Sequence, residues 1–224
     1  MVKQYTVLVS FLGEVLGPDY EITLHDLSGK TNSIVAIAHG NISGRTIGAP
    51  LTAKALEMIA ERRYEQTEFI SNYSGLSNEG KPLRSSSLFI KDGEGKPIGM
   101  LSINFDDSRF TDIATNVLKL CHPDEFVERT IATVHLASTS EEASEHFPNS
   151  ITAVTESVIN EAVTKKGVPV ERMTQEEKME IIEILHRKGV FLLKGAVSHV
   201  AVVLLSSEAS IYRYLSKLGS RRKG

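Results

Sequence analysis

The sequence predicts an α+β chain: an N-terminal mixed domain with an antiparallel sheet and flanking helices, followed by a small all-α helix-turn-helix domain. Three observations predict it. Between Glu21 and Asp106 the apolar residues fall into short β-rich runs bounded by turn residues. From Thr174 to Leu218 they fall into three helix-length patterns, in the order a helix-turn-helix requires. Charge divides near the same place: from Lys178 onward nine basic residues face three acidic ones, a balance of +6. The whole chain is −3, so residues 1–177 carry −9.

Taken in order, the stretch Tyr5 to Leu16 is apolar but interrupted by Ser10 and Glu14, and it stops at Gly17-Pro18 without a small-residue cleavage pattern. It predicts an amphipathic helix, not a secretion signal. Strands are expected over Glu21 to Leu27, Ser33 to Ala38, Ser85 to Lys91 and Pro97 to Phe105, with helical spacing around Leu51 to Arg63. The last two strands flank Asp92-Gly93-Glu94-Gly95, whose residues tolerate positive φ, so they should form a hairpin. Phe110, Ile113, Val117 and Leu118 then give a helix that Pro123 ends. Ser138 to Asn149, rich in serine and glutamate, predicts an exposed loop and holds the expected domain boundary; a further helix is expected near Ile151 to Lys165. The expected organisation is a sensor domain over 1–120, a linker with a helical segment over 121–170, and the helix-turn-helix domain with a basic tail over 171–224.

The three C-terminal helices follow from local chemistry. Thr174-Gln175-Glu176-Glu177 is a capping box, in which the threonine hydroxyl and the returning Glu177 carboxylate satisfy N–H groups at a helix start. Met179, Ile182 and Leu185, flanked by Ile181 and Ile184, form the apolar stripe of that helix, and Gly189 ends it. Val197, Val200, Ala201 and Leu204 repeat the spacing after Gly195. In the third helix Ser207 is the expected N-cap and Ile211, Tyr214, Leu215 and Leu218 face inward. Ala209, Tyr212, Arg213 and Ser216 are left on the face that would enter a major groove.

Composition narrows the function. With 41% hydrophobic and 24% charged residues the chain builds an ordinary core, and no segment approaches the roughly 18 to 20 apolar residues that span a bilayer. Cys121, the single cysteine, excludes an intramolecular disulfide and any multi-cysteine metal site; it suits a cytoplasmic protein and is expected to be buried. There is no His pair at metal-binding helical spacing, no phosphate-binding Gly-rich loop leading to Lys-Ser/Thr and no nucleophile elbow. No catalytic residue, metal or cofactor is expected.

Several short segments carry a family resemblance. His25-Asp26-Leu27, Ser33-Ile34-Val35-Ala36-Ile37, Ile42-Ser43-Gly44-Arg45, Gly48 with Pro50-Leu51-Thr52, and Asn72-Tyr73 resemble YheO-like PAS domains. Leu83 to Ile90, Gly95-Lys96-Pro97-Ile98-Gly99 and Ile103-Asn104-Phe105-Asp106 resemble the second half of the same domain, and Met173 to Lys178 with Arg187 to Val197 resemble the entry to its helix-turn-helix region. The resemblance covers nearly the whole chain. It implies a bacterial-type transcriptional regulator in which a PAS-like sensor controls a C-terminal DNA reader.

The chain departs from that pattern at three positions. Leu205 stands where the family usually has a helix-closing glycine, and leucine pays a steric cost in the left-handed conformation. Ser206 replaces an apolar residue, a loss on the order of 1 to 2 kcal/mol. Glu208 suits a helix N-terminus but repels phosphates; it can also accept from cytosine N4, so DNA preference is either weakened or redirected. The competing reading is a ligand-binding or scaffold protein whose helical tail binds another protein without useful DNA affinity.

The expected partners are double-stranded DNA, a small anionic or zwitterionic effector and a second copy of the chain, since two-fold operators require two-fold protein symmetry. Ser207, Ser210, Tyr212 and Arg213 are the candidate base contacts, and Lys194, Lys217 and Arg221 the candidate phosphate contacts. In the sensor, His25, His39, Asn41, Arg45, Tyr73, Arg84, Ser86 and Asn104 form the candidate ligand-binding set; the order His39-Gly40-Asn41 is inverted relative to the Asn-Gly-His associated with the family. The helices near Phe110 to Leu120 and Tyr5 to Leu16 are the candidate dimer surfaces.

Overall fold

The structure, a computed structural model, describes residues 2–28, 33–130 and 145–221. Most of the loop expected over Ser138 to Asn149, and the last three residues of the basic tail, lie outside the described residues.

Among the described residues six strands form one sheet in the spatial order β2-β1-β5-β4-β3-β6: β1 Tyr20–Asp26, β2 Ser33–Ala38, β3 Phe69–Leu76, β4 Pro82–Lys91, β5 Pro97–Phe105 and β6 Glu145–His146. The first five pair antiparallel, as expected; β6 adds a two-residue parallel edge along Gly75 and Leu76 of β3, so the complete sheet is mixed. The hairpin forms where expected, with Asp92 Oδ1 accepting from the backbone N–H of Glu94 and Lys96 and with Gly95 at φ 79°. β3 is a strand that the sequence does not announce. Asn72 adopts φ 58° and the register shifts between Ile70 and Tyr73, which breaks the alternation by which a strand is recognised.

Seven described helices surround the sheet: α1 Thr6–Leu16, α2 Ala53–Ala60, α3 Ser108–Cys121, α4 Ile151–Lys166, α5 Gln175–Arg187, α6 Ala196–Val203 and α7 Glu208–Arg221, with a further helical stretch over 124–130. α1 lies on one face of the sheet, where Val9 packs with Ile22, Leu24, Ile98 and Leu101. The approach is close because Gly13 has no side chain: a Cβ there would stand 2.7 Å from that of Ala38. The outer side of α1 leaves Val7, Phe11 and Val15 exposed, and α3 buries no residue at all. Cys121, at the end of α3, is consequently exposed, contrary to the burial expected of it; the apolar side of its helix faces outward.

The opposite side of the sheet supports the C-terminal helices. Leu51, Leu56, Met58, Phe89 and Met100 of the sensor share one core with Val158, Ile159, Ile181, Ile182, Leu185, Val200, Leu204 and Ile211. Sensor and reader therefore pack as one body across α2. Gly189, which ends α5 at φ 74°, fits against α2 so tightly that a Cβ would lie 2.7 Å from the Leu56 carbonyl oxygen.

Candidate functional site

The reader is assembled as its sequence dictates. Thr174 and Glu177 form the full capping box of α5 (2.8 and 3.2 Å), and Ile181, Ile182 and Leu185 are buried beneath α6 and α7. Val200, Ala201 and Leu204 bury the inner face of α6; Ile211 and Tyr214 do the same for α7, while Leu215 and Leu218 are half-buried. Ser207 caps α7 by accepting from Ser210 N–H at 3.2 Å. Ala209, Tyr212, Arg213 and Ser216 remain exposed, as does the first-turn carboxylate Glu208.

Of the candidate base contacts, Ser207, Tyr212 and Arg213 stand in solvent and Ser210 is half-buried, its hydroxyl 3.0 Å from that of Ser207. Arg213 lies over the Tyr214 ring at 5.5 Å. Among the phosphate candidates, Lys194 and Lys217 are exposed at the entry to α6 and on α7; Arg221 ends α7, and its side chain lies outside the described residues.

The turn between α6 and α7 carries two of the three departures from the family pattern. Leu205 adopts φ 47°, the left-handed conformation that glycine occupies without cost. Its side chain is exposed, so the strain is not offset by burial. Ser206 is half-buried; its N–H donates to Ala201 O at 2.8 Å and its hydroxyl to Leu204 O at 3.1 Å. Leu205→Gly is accordingly expected to stabilise the protein by about 1 kcal/mol, read as a higher urea midpoint at unchanged slope. A lower midpoint would mean that the exposed leucine makes contacts worth more than the strain.

In the sensor, strand register rather than sequence proximity builds the site. Glu21 pairs with Asn104 and Asn104 with Ser85, while Ser85 faces Tyr73; one row below, Thr23 pairs with Ser102 and Ser102 with Ser87. These side chains share the sheet face that α2 and the 39–50 segment cover. Glu21 accepts from Ser43 Oγ at 2.5 Å and Asn104 Nδ2 at 2.7 Å. A hydroxyl chain crosses three strands, Tyr73 to Ser87 at 2.8 Å and Ser87 to Ser102 at 2.7 Å. Arg45 donates to the Pro50 carbonyl, and Thr52, the N-cap of α2, donates to Glu145.

Burial sets the electrostatics. It raises the Glu21 carboxyl above the usual carboxylate range, against hydrogen bonds from Ser43 and Asn104 and the charge of Arg45. It raises Glu145 likewise, opposed by Thr52 and Arg45. Arg45 is shifted down by the same desolvation and held up by Glu145 and Glu21. His25 is driven well below its ordinary value, first by burial and then by Arg45, so it is a neutral imidazole at neutral pH. Among the described residues, Thr23 Oγ1, His25 Nδ1, Arg45 Nε and Asn104 Oδ1 are buried without a hydrogen-bond partner. Buried polar atoms of this kind are costly, and their concentration on one face marks a place built for polar contact.

Four of the eight ligand candidates, His25, Arg45, Tyr73 and Asn104, thus converge. The other four do not. His39 Nδ1 bonds Tyr20 O at 2.8 Å, Asn41 is exposed, Arg84 lies over the Phe105 ring at 5.1 Å, and Ser86 Oγ accepts from Asn72 N–H at 3.1 Å. Ser86 and Arg84 occupy the wrong parity of β4; Ser85 and Ser87 face the cluster. Glu21, Ser43, Thr52 and Glu145 belong to it and are absent from the set that sequence suggests. The charged Glu21 among apolar strand residues is a visible signal; for Glu145 there is none. Among the described residues no group of three His, Cys, Asp or Glu side chains is arranged to hold a metal.

The comparison with known families is decided by residues 1–122, which match the YheO-like PAS domain. The chain belongs to the YheO-like PAS family. Its residues 154–216 match an HTH domain, a span that starts within α4 and takes in α5, α6 and most of α7, so this YheO-like chain joins a sensor domain to a helix-turn-helix. It is 28% identical over 221 residues to the protein YheO of Escherichia coli, covering 98% of this chain and 85% of the relative. A Haemophilus influenzae protein is 25% identical over 97% of this chain and 91% of its own length. The transcriptional regulator DauR of Pseudomonas aeruginosa is 24% identical over 96% and 93%.

Proposed function

We propose that this YheO-like protein is a DNA-binding transcriptional regulator, not an enzyme, whose PAS-like sensor controls the C-terminal reader. The observation that carries the reading is the open outer face of α7, with Tyr212 and Arg213 presented on a helix whose inner face is locked into the core. In this reading Ser207, Ser210, Tyr212 and Arg213 contact base edges; Lys194, Lys217 and Arg221 contact phosphates. A cytoplasmic location follows from the partner, and no described helix is long and apolar enough to cross a membrane.

Fluorescence anisotropy against genomic fragments tests it. Binding should weaken steeply with salt, and Arg213→Ala should lose about 1 to 3 kcal/mol on the preferred sequence only. Affinity and preference unchanged by Arg213→Ala remove that residue from the reader. Retention of a protein partner, with no salt-sensitive retention of DNA, favours the scaffold reading instead.

A homodimer supplies the two-fold symmetry that paired half-sites need. Its surface is assigned to α1 and α3, where Val7, Phe11, Val15, Ile113, Val117 and Leu120 are all more than half exposed, an uneconomical arrangement for a lone chain. Ile113→Glu should convert a dimer to a monomer in light scattering; an unchanged mass excludes α3 from the contact. The effector, anionic or zwitterionic, is assigned to the cluster of His25, Arg45, Tyr73 and Asn104.

A further inference from the structure

Among the described residues, Glu145 is the one member of the polar cluster that the sensor's five antiparallel strands and their connections do not supply. It comes from β6, the two-residue strand that lies against the edge of β3, and it is 5% exposed. Its carboxylate takes the Thr52 hydroxyl and lies in the field of Arg45; among the described residues its second oxygen and the buried Ser85 hydroxyl are both without a hydrogen-bond partner, and the Tyr73 hydroxyl bonds Ser87. A guanidinium and hydroxyls are donors by which proteins bind a small carboxylate. In this protein the carboxylate belongs to the chain itself. A cleft of about 390 Å³ opens beside it, between α2, β6 and α4; its wall holds Glu145 and two ion pairs, Lys54 with Glu57 and Lys188 with Glu161.

The connection from Glu145 to the reader is short. Phe147 is 2% exposed, packs with Ile42 and Leu83, and receives the Arg45 guanidinium 5.9 Å above its ring. Asn149 Nδ2 donates to Gly44 O at 2.9 Å. The next residue, Ser150, caps α4, which packs against α5 and α6. A single extended segment therefore ties the occupant of the polar cluster to the first helix of the reader.

We infer that Arg45, Thr52, Ser85 and Tyr73 form a carboxylate-binding site that Glu145 fills as an internal ligand, and that a small organic carboxylate entering through the cleft takes its place. The inference rests on the proposed sensor function and specifies it. Displacement removes the Glu145 contacts and leaves 145–149 held by Phe147 and Asn149 alone, which weakens the anchor at the start of α4. The effector acts by competition with a side chain, so the two states differ in which carboxylate Arg45 holds. That difference is what ligand-driven switching requires.

Acetate, as the sodium salt against sodium chloride at equal ionic strength and pH 7, is the probe. Glu145→Ala opens the place of one carboxylate. At about ten times its dissociation constant for that variant acetate should raise the melting temperature of the variant by about 3 to 6 °C, saturably, and that of the wild type by less over the same range, because there it must first displace Glu145. Equal responses of the two proteins to acetate, or none in Glu145→Ala, overturn the site. Glu145→Gln keeps the shape and removes the charge, and it serves if the alanine variant does not fold. Amide exchange at His146 and Phe147 should then accelerate at least about tenfold; unchanged protection overturns the claim that the carboxylate holds β6 in place. Neither measurement contains DNA, so their failure leaves the DNA-reading proposal standing, and failure of wild-type DNA binding leaves these results interpretable.

Discussion

Replacing Arg45 by methionine is expected to destabilise the protein by about 3 to 5 kcal/mol, the range found when one partner of a buried charged group is removed. Arg45 is 3% exposed, and Glu21 and Glu145 both lie in its field. Methionine fills much of the same volume, so the loss is electrostatic more than steric. Without Arg45 both carboxyls rise further above the usual 4.5, because the arginine is one of the influences that lowers each of them. A group whose folded pKa is raised contributes stability at low pH that is lost as pH climbs through the folded value. The deficit of Arg45→Met should therefore be smallest near pH 4.5 and grow as pH rises above it. His25 acts in the same sense. Burial and Arg45 depress it, so protonation penalises the wild-type fold as pH falls below 6.5, and the variant is relieved of the arginine's share. Urea unfolding at pH 5 and pH 8 checks both statements. A deficit that shrinks as pH rises would mean that the carboxylates are not what Arg45 compensates. Glu145→Gln added to Arg45→Met should recover part of the loss, because it removes one of the two stranded charges.

Gly189→Ala is expected to cost about 2 to 4 kcal/mol, combining left-handed strain with overpacking. The obstruction is a backbone carbonyl, that of Leu56 at 2.7 Å, with Ala60 Cβ at 3.1 Å behind it, and backbone cannot rotate away as a side-chain tip does. Gly189→Asn separates the causes. Asparagine tolerates φ 74° better than alanine but carries the same Cβ, so it should recover only the conformational part of the loss. Full recovery by asparagine would assign the cost to conformation alone. A denaturation midpoint unmoved by either substitution would mean that α5 and α2 are not in contact in solution.

The uneven legibility of the sequence follows from the range of the interactions involved. The capping box at Thr174, the stripes of α5 to α7 and the Ser207 cap are decided within one or two helical turns, so local periodicity is sufficient to find them. The left-handed turn at Leu205 is equally local. The sensor cluster is a product of pairing between strands. Ser86 and Ser85 differ by one position in a serine run, and only the register of β4 against β5 says which faces inward. Asn72 hides β3 by interrupting its alternation. Glu145 is hardest, since it bonds Thr52 across 93 residues and its own strand is two residues long. Cys121 misleads for a related reason: helical spacing identifies an apolar side but does not say whether that side faces core or solvent.

The continuous core across α2 has a consequence for the chain as a set of exchangeable parts. The core includes residues from both sides of the loop before α4, where the sequence places the domain boundary. A hybrid spliced there would present Leu56 and Met58 to a foreign helix surface, and the transplanted helices would arrive without the ridge that seats Gly189. Swapping readers among such regulators by recombination is therefore constrained by α2, a helix to which the proposed function assigns no contact with DNA. The outer face of α7, by contrast, carries no part of this core, so under the proposed function its residues can be exchanged one at a time while the joint beneath stays fixed.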